Sequence, residues 1–182
     1  SVATHKVAWR SASWVSSSAG LPDFPIRALV LSELNLLAGS IGCVHLSTNF
    51  GGSWTPSTAG LVNGPVSAFA TIGNDLYAGK SSGAIVHSTD RGASWTEVYS
   101  AWALADLVSL VASGSTLYAG LNIQSRGKIF TSRDSGVTWS EIDSGFPTSS
   151  LRCLAVNGAW LNGVCGDRFG PLPDARHHCR VG

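Results

Sequence analysis

Ser88-Thr89-Asp90-Arg91-Gly92-Ala93-Ser94-Trp95 and Ser132-Arg133-Asp134-Ser135-Gly136-Val137-Thr138-Trp139 are two copies of one eight-residue unit. A third, Ser47-Thr48-Asn49-Phe50-Gly51-Gly52-Ser53-Trp54, keeps the same landmarks but carries asparagine in place of aspartate. We call this unit the box. Its tryptophans lie 41 and 44 residues apart (95 − 54 and 139 − 95), and Ser13-Trp14 sits 40 residues before Trp54. Each unit reads as a tight turn. The Asp or Asn accepts hydrogen bonds from backbone N–H groups two or so residues ahead, and the glycine supplies positive φ. The Ser hydroxyl bonds locally, and the tryptophan covers the turn with apolar surface. Asn49 keeps the turn-forming group and loses the charge, a swap that a structural turn tolerates and a catalytic carboxylate does not.

A second landmark precedes each box. Leu76-Tyr77-Ala78-Gly79 returns as Leu117-Tyr118-Ala119-Gly120, and in weaker form as Leu36-Leu37-Ala38-Gly39 and Trp160-Leu161-Asn162-Gly163. Between the landmarks the pattern alternates as strands do, for example Val66–Ala70, and Gly73-Asn74-Asp75 signals a turn. Four short strands per roughly 41 residues is the period of a propeller blade. No window sustains the 3.6-residue apolar period of a helical repeat. The expected fold is therefore an all-β β-propeller of four-stranded antiparallel blades.

Complete blades are expected at 26–58, 66–99 and 106–143, in one domain spanning 1–182. A fourth is expected from 151–170 together with 5–18, which joins the chain ends into a ring of about four blades and removes exposed sheet edges. The other expectation is a partial propeller completed by a second copy, hence a homo-oligomer. Residues 171–182 lack the strand, box and tryptophan that the repeat requires, and are read as an irregular tail.

Bulk properties exclude several classes of function. Charged residues are 13% of 182 and the net charge is +1, which provides no field for nucleic acid. No stretch approaches the roughly 20 apolar residues of a membrane span. The chain begins at Ser1 and has no methionine, the pattern of a processed chain or of a segment of a longer one. The four cysteines, Cys43, Cys153, Cys165 and Cys179, are read as buried free thiols rather than bridges, and no metal site or cofactor is expected.

The boxes around Asp90 and Asp134, with the Asn49 variant, resemble those of the Asp-box, or bacterial neuraminidase repeat, propellers, over about 26–142. The resemblance implies that Ser47, Asn49, Gly51, Trp54, Ser88, Asp90, Gly92, Trp95, Ser132, Asp134, Gly136 and Trp139 are structural. It also favours an extracellular or periplasmic location. Sialidases of that family need three arginines around a carboxylate, a Tyr–Glu nucleophile pair and an acid/base aspartate. Phe24-Pro25-Ile26-Arg27 has the residue types of their Phe-Arg-Ile-Pro motif in another order and is not a match. Tyr77 and Tyr118 repeat at equal positions, as core residues do, and no catalytic residue is assigned. Asp23 and Asp106, placed just before the first strands of their blades, are candidate polar binding residues, with Trp102 and Trp160 as candidate aromatic faces. The reading is a non-catalytic scaffold or binding module with a glycan or protein ligand. Its alternative is a fragment or divergent member of a sialidase-like glycoside hydrolase.

Overall fold

A computed structural model describes residues 18–61, 64–100, 102, 105–142, 150–157, 160–165 and 178–181. These form three four-stranded antiparallel sheets and one three-stranded sheet. Blade 1 is β1 (Ile26–Ser32), β2 (Asn35–Ser40), β3 (Val44–Ser47) and β4 (Thr55–Ser57). Blade 2 is β5 (Val66–Ile72), β6 (Asp75–Lys80), β7 (Ile85–Ser88) and β8 (Thr96–Tyr99). Blade 3 is β9 (Ala105–Ser113), β10 (Thr116–Ile123), β11 (Arg126–Ser132) and β12 (Ser140–Ile142). Blade 4 is β13 (Leu151–Asn157), β14 (Trp160–Cys165) and β15 (His178–Val181). Where the sequence suggests an irregular tail, β15 hydrogen-bonds to β14. The segment 5–17, expected to complete blade 4, lies outside the described residues.

Each first hairpin closes through two loop residues, as Ser32 pairing with Asn35 and Ile72 with Asp75 show. Each also carries a bulge near the start of its first strand, at Ile26/Ala28, Val66/Ala68 and Leu151/Cys153, and opposite Gly120/Leu121 in β9. The extra residue sharpens the local twist and resets the in–out alternation, so residues three apart share a face. Val66 and Phe69 therefore both pack toward blade 1 with Leu37 and Val44. Leu107 and Leu110 pack toward blade 2 with Ala68, Ala70, Tyr77 and Ile85. Leu151 and Leu154 pack toward blade 3 with Ile129, Val108 and Val111. The core is thus three slabs between successive blades, with β1 against β5, β5 against β9 and β9 against β13.

The second-strand glycines make this stacking possible. A Cβ on Gly39 would lie 2.8 Å from Val66 Cγ1, one on Gly79 2.5 Å from Leu107 Cδ2, and one on Gly120 2.4 Å from Leu151 Cδ2. A side chain at any of these positions would hold the next blade off. Polar groups add fixed links along the inner strands: Ser67 Oγ donates to Leu107 O at 2.6 Å, and Leu154 N donates to Ser109 Oγ at 3.0 Å. Asn122 bonds both the N–H and the C=O of Leu151, at 2.7 and 2.9 Å.

Blade 4 departs from the alignment that its sequence suggests. Pairing Asn157 with Trp160 and Val156 with Leu161 puts Leu161 at the register of Leu117, and Val164, not Gly163, at the register of Gly120. A two-residue hairpin loop sets this register, and it overrides the match of glycine to glycine.

Candidate functional site

The box turns are the most regular chemistry in the molecule. Phe50, Arg91 and Ser135 take left-handed φ of 54°, 59° and 60°, and the glycines that follow them take 87°, 86° and 85°. Two successive residues at positive φ suit a tight hairpin, and glycine makes the second one inexpensive. The first-residue hydroxyl then accepts from the glycine N–H: Gly51 N to Ser47 Oγ 2.8 Å, Gly92 N to Ser88 Oγ 2.8 Å, Gly136 N to Ser132 Oγ 2.9 Å. The same hydroxyls donate to Asn49, Asp90 and Asp134 Oδ1 at 2.8–2.9 Å.

The Asx oxygen accepts a further backbone bond four residues ahead, from Ser53, Ser94 and Thr138 N–H at 2.8, 2.8 and 2.9 Å. The two-residue separation expected from the sequence is corrected to four, because the left-handed pair folds the loop back over the carboxyl. The second oxygens of Asp90 and Asp134 accept from the Ser94 hydroxyl, at 2.5 Å, and the Thr138 hydroxyl. At Asn49 the direction reverses, with Nδ2 donating to Ser53 Oγ at 2.9 Å. These bonds, led by those from the Ser94 and Thr138 hydroxyls, pull both aspartates from the ordinary 3.8 down to about 2. A carboxyl so far down is ionised at every physiological pH and is a poor general acid or base.

The box of blade 2 also seats on the preceding blade. Trp95 Nε1 donates to Ser57 Oγ at 3.0 Å, while that hydroxyl donates to Gly92 O. Arg91 pairs with Glu33 at 3.0 Å, and Asn35 Nδ2 donates to Arg91 O at 3.4 Å. Trp139 Nε1 instead closes on Gly136 O at 2.9 Å within its own turn. The linkers follow the same rule, with Trp54 N and Trp95 N donating to Ala19 O and Ala59 O at 2.9 Å. At Gly20 and Gly60 a Cβ would meet those tryptophan carbonyl oxygens at 2.2 and 1.9 Å.

The candidate binding residues do not converge. Asp23 precedes β1, whereas Asp106, expected just before its first strand, lies within β9 and pairs with Asn122; both are exposed, blade 2 stands between them, and their side chains make no hydrogen bond or ion pair among the described residues. Trp102 is buried and gives its ring to Tyr99, Phe130 and Trp139 at 4.6, 4.8 and 5.1 Å, so it presents no face to a ligand. Trp160 opens β14, and its side chain lies outside the described residues. Tyr77 is fully buried and stacks on His87 at 4.5 Å, and burial raises its pKa. His87 Nε2 lies 3.2 Å from Asp75 Oδ2 but out of line for a hydrogen bond.

Cys43 Sγ sits 3.7 Å from His45 Nε2, yet burial raises the thiol and lowers the imidazole. Both are then neutral, which is the opposite of a nucleophilic thiolate–imidazolium pair. Cys43 and Cys153 are free thiols. Cys43 is half-buried, and Cys153, expected buried, is exposed because it faces away from blade 3. No group of three metal-ligating side chains occurs among the described residues, and no helix there is long and apolar enough to cross a membrane.

What sequence reasoning missed is an apolar surface on blade 1. Leu29, Leu31 and Phe50 are 63%, 56% and 68% exposed, and Ile26 is 37% exposed. The available signal was the repeat itself, since these positions correspond to residues that pack onto a preceding blade.

Successive four-stranded sheets, stacked through their first strands and pinned by repeated turns, define a β-propeller domain. Residues 36–160 match the family model described as the DUF6242 beta propeller domain, and the chain belongs to that family. No curated protein matches its sequence. Among solved structures, the computationally designed Ika4 protein is similar with a TM-score of 0.65 at 15% identity, over 81% of this chain and 89% of that one. YCF48 from Cyanidioschyzon merolae gives 0.58 at 18% identity, over 77% of this chain and 49% of that one. YCF48 bound to D1 peptide gives 0.61 at 18%, over 81% and 50%. The likeness is one of fold, and the chain spans about half the length of the YCF48 structures.

Proposed function

We propose that this chain is a non-catalytic propeller module of the Asp-box type that serves as a scaffold for a protein partner. The observation that carries the reading is the fate of the repeated carboxylates. Every oxygen of Asp90 and Asp134 is spent inside its own turn, and uncharged Asn49 fills the same place in blade 1. Such residues hold a hairpin against its neighbouring blade and are not themselves free to serve as the acid or base of glycoside hydrolysis. A protein partner is favoured over a glycan because the exposed surface is aliphatic and phenyl, while Trp102 is spent in packing. That YCF48, a propeller of similar fold, is known bound to a peptide supports the same direction. The test is incubation of the purified chain with a fluorogenic sialoside and with immobilised glycans. No turnover and no retention are expected. Hydrolysis that disappears in a Tyr77→Phe or Tyr118→Phe variant would return the chain to the glycoside hydrolases.

A further inference from the structure

We propose that the open face of blade 1 docks on blade 4 of a second copy of this chain, head to tail. The proposal rests on the reading of the chain as a protein-binding scaffold and names the partner and the surfaces.

The three internal junctions supply the template. At each, two large residues three apart in the first strand enter the preceding blade: Val66 and Phe69, Leu107 and Leu110, Leu151 and Leu154. In blade 1 the same register positions are Ile26 and Leu29, by their pairing around the bulge. Leu31 extends the same face, two residues on from Leu29. Phe50 belongs with them. Its counterpart Arg91 reaches the preceding blade through Glu33 and Asn35, so Phe50 occupies the box position that meets a preceding hairpin. Ile26, Leu29, Leu31 and Phe50 thus form a complete set of blade-facing groups, all exposed.

Blade 4 carries the matching half. In blade 2 the small residues Ala68 and Ala70 receive Leu107 and Leu110. The same register positions in β13 are Cys153 and Ala155, and both are exposed. A protruding face and a recessed face of one junction therefore stand at opposite ends of the chain, neither packed against another described strand. Among the described strands they do not fill each other, because β1 packs to a substantial extent only on β2 and β5, and β13 only on strands of blades 3 and 4. A second copy satisfies both at once, through heterologous contacts that repeat the internal geometry.

One position limits the fit. Val164 stands where Gly39, Gly79 and Gly120 receive the next blade, so Ile26 meets a branched residue at a register that elsewhere bears no Cβ. The docking is accordingly weaker than an internal junction and depends on concentration.

The experiment is sedimentation of the full chain over a wide concentration range, with a cross-link to assign the surface. Reversible association is expected, weakened at least about tenfold in Kd by Leu29→Asp with Leu31→Asp and strengthened by Val164→Gly. Leu29→Cys should cross-link to native Cys153 between differently tagged chains, as identified by peptide mass. A monomer at all concentrations, or a Leu29→Cys cross-link to Cys153 found only within one chain, would overturn the proposal. So would association that ignores both the aspartate pair and Val164→Gly. The aspartate variants sit on an exposed face, and unchanged far-ultraviolet circular dichroism keeps loss of folding apart from loss of docking. The sialoside assay on the same preparation reports separately on the scaffold reading: turnover defeats that reading, whereas monomers without turnover defeat only this one.

Discussion

The junction between blades 2 and 3 and the outer side of blade 1 are made from the same repeat positions, with opposite outcomes. Leu107 is fully buried against Gly79, and Leu110 is buried among Ala68, Ala70 and Tyr77. Ile26 and Leu29 hold those positions in blade 1 and lie open to solvent. The hairpins themselves are equally regular in both places, with the same bulge and the same two-residue loop. Strand pairing in a blade is therefore a local property, set by turns and alternation, while burial of a blade face depends on a neighbour. Stability should follow the neighbour rather than the blade.

The sharpest way to break this comparison is to truncate both leucines. Leu107→Ala should cost about 2–5 kcal/mol, because it removes a buried side chain and leaves a void beside Gly79. Leu29→Ala should change stability by no more than about 0.5 kcal/mol in dilute solution, since its side chain is already hydrated. Equal losses in denaturant titration would mean that the blade 1 face is covered in the monomer.

A smaller effect sharpens the comparison through acid. Asp90 and Asp134 have folded values lowered to about 2, against about 3.9 unfolded. A lowered value makes the contribution full above the unfolded pKa, and it is lost as pH falls from about 5 toward 2. Blade 1, with Asn49, has no such dependence in its turn. Replacing Asp90 and Asp134 by asparagine should flatten the fall in melting temperature between pH 5 and pH 2, because the contribution of the ionised carboxylates near neutrality is removed and the melting temperature there is lowered. A fall as steep as in the parent chain would show that these turns do not govern the acid response.

The smallest effect concerns the Arg91–Glu33 pair across the blade 1–2 junction. Both side chains are about half exposed, and solvent screens their attraction. Glu33→Ala should lower stability by less than about 1 kcal/mol, and by less still at high salt. Phe50, the counterpart of Arg91 on the open side, should show no loss on replacement by serine until a second copy is bound.

Much of this architecture is legible in the residues because it is written in local chemistry. A Ser-x-Asp-x-Gly unit makes its own hydrogen bonds, so Ser88, Asp90 and Gly92 announce their turn without any distant partner. The role of Gly79 is less legible. Its reason is Leu107, 28 residues later (107 − 79), and only the packed blades bring them together. Trp102 illustrates a similar limit: an off-repeat tryptophan suggests a ligand face, and three aromatic neighbours from blades 2 and 3 consume it. β15 was hidden because its strand carries no box to mark it, and its pairing to β14 supplies the hydrogen bonds instead. The candidate site was the least legible part, since Asp23 precedes β1 while Asp106 lies within β9, and the two share neither a register position nor a place in space.

Period, the four strands of each of blades 1 to 3, the box turns and the uncharged substitution at Asn49 follow from the sequence alone, because hairpins and their turns are settled within a few residues. The register of Val164, the exposure of Cys153 and the uncovered state of Leu29 and Leu31 belong to the tertiary structure. They depend on which blade lies beside which, and a side chain's burial is decided by the surface that its neighbour presents.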